Sequence, residues 1–181
     1  MTAVASTLVL GGARSGKSRF AEQIVRESGL EGVYIATAVA GDDEMQLRVA
    51  RHRERRGDAW RTVEEPLHLT EAIAREAAGG RILLVDCLTL WLSNLMHAEY
   101  DAAREANRLI VALESVVCPV VLVSNELGLG LVPETPLGRQ FRDEQGRLNQ
   151  LVAASVGNVA FVAAGLPLWL KRQTHPGSLQ P

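Results

Sequence analysis

The sequence predicts an α/β fold: a mostly parallel sheet with helices on both faces. Two observations carry that expectation. Short β-branched runs alternate with helix-like stretches along the whole chain, the pattern of strands joined by crossover helices rather than hairpins. The first strand-to-helix junction holds Gly11-Gly12-Ala13-Arg14-Ser15-Gly16-Lys17-Ser18, which matches G-x-x-x-x-G-K-[ST] in the strand-loop-helix setting that the pattern requires.

Strands are expected over residues 7–10, 33–37, 82–86, 120–124 and 159–163, with 168–171 as an edge strand. Helices are expected over 17–27, 42–55, 67–78, 101–115 and 138–155, several ended by a glycine at Gly29, Gly57, Gly79 or Gly157. Ligands of such sheets bind outside the carboxyl ends of the strands. The residues at those ends are polar: the phosphate loop after the first strand, Thr37-Ala38 after the second, Asp86 closing the third and Asn125-Glu126 after the fourth.

With 181 residues and 47% hydrophobic content the chain can bury a substantial core, and one domain over residues 1–172 is expected. Residues 173–181, with two prolines and a glycine, are expected to form a mobile tail. A net charge of −2 and a pI near 6.1 supply no basic field for a nucleic acid, so small-molecule partners are expected. Cys87 and Cys118 lie in or beside apolar runs without metal or redox spacing, and read as reduced core thiols of a cytoplasmic protein. No basic segment precedes the first apolar run, so no signal peptide is expected. The uncharged stretch 148–170 is long enough to span a bilayer, but Asn149, Gln150, Asn158, Gly165 and Pro167 interrupt it. It reads as a helix, a turn and a buried strand, with no membrane span.

In the phosphate loop, glycines let successive backbone N–H groups turn inward around a phosphate, Lys17 reaches the outer phosphates, and the Ser18 hydroxyl is placed for Mg²⁺. A nucleoside triphosphate is the expected ligand. Asp86 ends the apolar run Ile82-Leu83-Leu84-Val85, the place of the second Mg²⁺-organising acid in phosphate-loop proteins. The plainer alternative is a strand-end aspartate capping the next helix, through itself or Thr89.

Residues 41–56 open with three acids and close with crowded arginines, an order that suits both ends of a helix dipole. A solvated amphipathic helix explains that gradient by itself. It does not require His52 one turn after Arg48 and one before Arg56, so that the three share a face. Neighbouring guanidinium groups favour a neutral, nucleophilic imidazole while a helix C-terminus opposes them, and the same arginines suit phosphate binding. His68, His97 and His175 have no such surroundings, and Trp60, Trp91 and Trp169 read as packing residues. Glu64 follows a short extended run, where it either accepts bonds from a nucleoside or is simply exposed. The glycine- and leucine-rich stretch 125–134 suits an apolar wall, a subunit contact or a buried turn.

Together these stretches resemble the bifunctional adenosylcobinamide kinase/adenosylcobinamide-phosphate guanylyltransferase family of cobalamin biosynthesis. The likeness runs from the first strand to about Leu170. It rests on the phosphate loop with Arg19-Phe20-Ala21-Glu22, Tyr34-Ile35-Ala36-Thr37, Asp43-Glu44-Met45 with Arg48 and His52, and Trp60 through Pro66. Asp86-Cys87-Leu88-Thr89, the string from Ser124-Asn125-Glu126 to Phe141-Arg142-Asp143, and Gly146-Arg147-Leu148-Asn149-Gln150 complete it.

The resemblance implies a RecA-like P-loop NTPase fold and two reactions. In the first, adenosylcobinamide takes the γ-phosphoryl group of ATP or GTP on its aminopropanol hydroxyl. In the second, a histidine that falls on His52 attacks the α-phosphorus of GTP, and GMP passes to adenosylcobinamide phosphate. It further implies guanine-nucleotide contacts around Ala36, Thr37, Ala38, Arg53, Glu54, Arg55, Arg56, Glu64 and Asp86, with Mg²⁺ as cofactor and a homotrimer as the assembly. Some members carry two adjacent histidines at the nucleophile position, whereas here Arg51 precedes a single His52. Two other readings remain: a phosphate-loop kinase of another small alcohol or nucleotide with no covalent intermediate, and a RecA-like ATPase or nucleic-acid module.

Overall fold

The computed structural model describes residues 5–39 and 60–173. The helix expected over 42–55, with Arg48, His52, Arg53, Glu54 and Arg55, lies outside the described residues, as do Arg56 and the tail beyond Gln173. Among the described residues, seven strands form one sheet: β1 Thr7–Gly11, β2 Glu31–Ala36, β3 Arg61–Glu64, β4 Arg81–Asp86, β5 Val120–Asn125, β6 Asn158–Ala163 and β7 Leu166–Lys171. Five helices pack on it: α1 Lys17–Ser28, α2 Leu69–Glu76, α3 Leu88–His97, α4 Ala102–Ser115 and α5 Pro136–Ser155.

The strand order is β3-β2-β4-β5-β1-β6-β7, parallel throughout except for the antiparallel edge strand β7. From β1 the chain steps one way across the sheet to β2; from β3 onward it steps the other way. Right-handed crossovers travelling in opposite directions put their helices on opposite faces. The two cores follow this rule. Leu8, Leu83, Val85 and Leu122 pack with Leu69, Leu92, Leu109 and Val152 of α2 to α5, whereas Val9, Leu84, Val121 and Val123 pack with Ala21 and Val25 of α1. Burying each such side chain contributes about 1.5–3 kcal/mol, so the doubly covered central strands carry most of the stability.

Several boundaries differ from expectation for local reasons. β2 begins earlier because Glu31 and Gly32 already pair with Arg81 and Ile82 of β4, and it ends at Ala36. α2 is shorter than 67–78: Glu65 Oε1 accepts the N–H of His68 at 2.9 Å, which turns the chain just before the helix. α5 starts two residues early, with Thr135 Oγ1 accepting from Gly138 N–H at 3.1 Å and Pro136 in the first turn, where a missing donor costs nothing. The sequence pattern left no helix at Leu88–His97, and β3 appeared only as a short extended run. The stretch 148–170 is the end of α5 followed by the β6-β7 hairpin, and no helix among the described residues is long and apolar enough to cross a membrane.

Candidate active site

Strand alternation selects what lies at the carboxyl edge. Val9, Ile82, Leu84, Tyr34, Val121 and Val123 face α1. Two residues on, Gly11, Asp86, Ala36 and Asn125 take the same face at the strand ends. Gly11 is in register with Asn125, Ala36 with Asp86, and Asp86 with Val123. The phosphate loop lies on this face, between β1 and α1.

Gly16 opens α1 at φ 98°, with no side-chain cap, so the first N–H groups of the helix face outward for an anion. A Cβ on Gly11 would lie 2.5 Å from both Ser15 Oγ and Val162 O, and one on Gly16 would lie 3.1 Å from Gly165 Cα. Close approach therefore requires glycine at both positions, whereas a Cβ on Gly12 meets nothing within 4 Å. The β6-β7 turn braces the loop: Gly165 N–H donates to Ser15 O at 2.8 Å. Ala13 and Arg14 are exposed, Ser18 is half-buried in the first turn of α1, and the buried Ser15 Oγ has no partner among the described residues.

Lys17 Nζ donates to Gly12 O at 3.1 Å. Burial holds its ammonium below the ordinary lysine range, while the nearby Cys87 and Asp86 pull it back up. Asp86 accepts the Tyr34 hydroxyl at 3.2 Å, so its carboxylate is oriented from β2. The helix-capping alternative is not the arrangement found: Cys87 is the N-cap of α3 without a side-chain bond, and Thr89 Oγ1 accepts Asn125 N–H at 2.9 Å. The Cys87 thiol is pushed up to about 11, first by burial and then by the Asp86 charge.

A second layer fixes these strand ends. Thr37, fully buried, donates through Oγ1 to Cys87 O and accepts from Cys87 N–H, both at 2.7 Å. Asn94 of α3 donates to Thr37 O and Pro66 O at 2.8 and 3.0 Å, tying the ends of β2 and β3 together. Behind β5, Ser124 Oγ donates to Asn149 Oδ1 at 2.6 Å and accepts from Gln145 Nε2 at 2.9 Å, a polar cluster sealed among α5 and the sheet.

The structure thus brings Gly11 to Ser18 and Asp86 together and sets Ala36, Thr37 and Ala38 one strand beyond. Glu64 is exposed at the end of β3, in register with Ala36. Four strand spacings of about 4.8 Å put it roughly 19 Å across the sheet from β1. The supporting roles of Asn94, Gln145 and Gly165 carried no motif of their own, and Thr89 stood in the sequence only as a candidate helix cap and as part of Asp86-Cys87-Leu88-Thr89. His68 and His97 are exposed, Trp91 is core, with its indole N–H donating to Leu67 O at 2.8 Å, and both cysteines are buried and free.

Comparison with known proteins agrees with this geometry. Residues 7–170 match the family model described as cobinamide kinase / cobinamide phosphate guanyltransferase. The chain is 53% identical over 168 residues to the bifunctional adenosylcobalamin biosynthesis protein CobP of Pseudomonas aeruginosa, covering 91% of this chain and 96% of the relative. It is 40% identical over 179 residues to the bifunctional adenosylcobalamin biosynthesis protein CobU of Escherichia coli, covering 91% and 98%. Among solved structures it is similar to the flagellar accessory protein FlaH of Methanocaldococcus jannaschii, with TM-score 0.58 and 12% identity over 97% of this chain and 82% of that one. The RadB recombinase follows, with TM-score 0.50 and 15% identity over 87% and 73%. At these identities the two structures show the fold alone, a RecA-like P-loop arrangement.

Proposed function

The chain belongs to the cobinamide kinase / cobinamide phosphate guanyltransferase family, and from that premise we propose that it performs both reactions of nucleotide-loop assembly on adenosylcobinamide. The observation that carries the reading is Lys17, half-buried in its glycine loop and within electrostatic reach of Asp86 at the carboxyl edge of the sheet. In the kinase step the aminopropanol hydroxyl oxygen bonds to the γ-phosphorus of ATP or GTP as the bond to the departing diphosphate breaks. Lys17 and the loop N–H groups neutralise charge on the transferred group, and positioning supplies most of the remainder.

In the second step His52 attacks the α-phosphorus of GTP, pyrophosphate leaves, and the histidine-bound GMP passes to adenosylcobinamide phosphate. Dividing the substitution in two suits an imidazole, which becomes a good leaving group once protonated. Arg53, Glu54, Arg55 and Arg56 belong to this half of the reading. An extended nucleotide with its phosphates in the loop and its base toward β3 passes Asp86 and then Ala36 to Ala38 before it reaches Glu64, which supports the proposed contact set.

Ser18 and Asp86 are the oxygen donors for Mg²⁺, which when bound would offset phosphate charge. A hard cation held by one or two protein oxygens and the substrate's own phosphates fits that donor set. A homotrimer completes the reading, supported by the edge strand β7, where Leu166, Leu168 and Leu170 are exposed and call for a covering partner. The buried free thiols Cys87 and Cys118 support a reducing, cytoplasmic setting.

The test is incubation with GTP labelled at the α-phosphate. An acid-labile protein adduct, lost in His52→Ala and chased into adenosylcobinamide-GDP, is expected. Corrinoid phosphorylation with no adduct would reduce the protein to a kinase without a covalent intermediate.

A further inference from the structure

The end of β5 is held more firmly than strand pairing requires. Asn125 N–H donates to Thr89 Oγ1 of α3 at 2.9 Å, and its carbonyl accepts from Asn149 Nδ2 of α5 at 3.0 Å. The next N–H, that of Glu126, donates to Gly11 O at 3.1 Å. Two helices and the first residue of the phosphate loop therefore fix one asparagine backbone. Asn149 is itself fixed by Ser124 and Gln145, so the anchor on the α5 side is rigid.

The side chain so positioned is left unsatisfied. Asn125 Oδ1 is buried and accepts no hydrogen bond from any described residue, which is costly unless a ligand completes it. Alternation puts this carboxamide on the α1 face, with β5 lying between the Asp86 strand and the phosphate-loop strand. Phosphate oxygens are acceptors and cannot satisfy a carbonyl oxygen. The O–H of the attacking alcohol is a donor that a phosphoryl-transfer site adds.

We propose that Asn125 is a catalytic residue of the kinase step, its Oδ1 accepting the hydrogen bond of the substrate hydroxyl and aiming that oxygen at the γ-phosphorus. This rests on the kinase activity proposed above. As the new P–O bond forms, the bond from the γ-phosphorus to the diphosphate oxygen breaks and its electron pair leaves with the diphosphate. The hydroxyl proton passes to a non-bridging oxygen of the transferred phosphoryl group. Asn125 gains and loses no proton; it orients.

The test compares Asn125→Ala and Asn125→Asp with the parent enzyme. Three readouts are taken: transfer of γ-label from GTP to adenosylcobinamide, formation of the α-labelled adduct, and thermal melting. Misaiming the nucleophile should lower kcat for phosphoryl transfer by on the order of 10²-fold in Asn125→Ala. Nucleotide KM, adduct formation and melting should stay close to the parent. Asn125→Asp keeps the acceptor oxygen and should retain a higher kcat than Asn125→Ala. Transfer in Asn125→Ala at near-parent kcat would overturn the proposal. So would an equal loss of adduct formation and nucleotide binding, which would mark a structural role. A parent enzyme that phosphorylates no corrinoid would overturn the underlying kinase reading, a result distinct from these.

Discussion

The two faces of the sheet are built from the same strands yet do different work. On one, four helices seal alternate strand residues into an apolar layer, and a buried polar cluster of Ser124, Gln145 and Asn149 reaches the backbone of Asn125 while leaving Gln145 Oε1 without a partner among the described residues. On the other, among the described residues, α1 covers the sheet together with Trp60 and with Leu90 of α3, and the residues that reach the strand ends are Gly11, Ala36, Asp86 and Asn125 beside a desolvated Lys17. Buried side-chain atoms without partners among the described residues occur on both faces: Thr70 Oγ1 and Gln145 Oε1 on the α2–α5 side, Ser15 Oγ and Asn125 Oδ1 on the α1 side, but only the latter two stand beside the phosphate loop and its half-buried Lys17. The α2–α5 face supplies rigidity; the α1 face sets its two unpartnered oxygens beside the phosphate loop.

Lys17→Ala breaks that contrast most sharply. Phosphoryl transfer should fall on the order of 10³-fold, about 4 kcal/mol of transition-state stabilisation. Melting should not fall, because a buried ammonium is a cost to folding at neutral pH that the variant removes. The lowered pKa also sets a pH dependence: the Lys17 charge is lost below the ordinary lysine range, so nucleotide affinity should weaken as pH rises through that window, as titration calorimetry would show.

Leu109→Ala sharpens the other side. Leu109 of α4 is fully buried against the sheet, and the cavity should cost about 2–5 kcal/mol in denaturant unfolding, with kcat per folded molecule unchanged. Glu71→Gln should act least. Burial pushes the Glu71 carboxyl up, but the hydrogen bond from Arg108 at 2.5 Å, a backbone hydrogen bond and the charges of Arg108 and His68 together outweigh it and leave the group below the usual range. The stabilisation from this exposed pair is therefore present above the unfolded carboxyl pKa and lost as pH falls through the folded one. Melting of parent and variant should differ only slightly at pH 7 and converge in acid.

The same contrast explains what was legible in the sequence. Central strands announce themselves as β-branched runs, and the phosphate loop and Asp86 follow from their places after such runs. The helix Leu88–His97 did not, because Leu-Thr-Leu-Trp-Leu-Ser-Asn-Leu-Met-His is apolar on most sides and its N-cap Cys87 makes no side-chain bond, so neither a stripe nor a cap marks it. β3 is a four-residue edge strand, largely exposed and carrying Arg61 and Glu64, with no alternation to read. Asn125 stood out as a polar residue after a strand and as part of the string from Ser124-Asn125-Glu126, with no role attached to it. Its significance comes from Thr89 and Asn149, which lie 36 and 24 residues away, and such convergence belongs to the fold and not to any local pattern.

On the function proposed above, the chemistry sits on the α1 face around Lys17. The direct measurement is transfer of γ-label from GTP to adenosylcobinamide by the parent, Lys17→Ala and Leu109→Ala enzymes, each normalised to folded protein. Full transfer by Leu109→Ala and near-complete loss in Lys17→Ala are expected. Transfer by folded Lys17→Ala at the parent rate would contradict it.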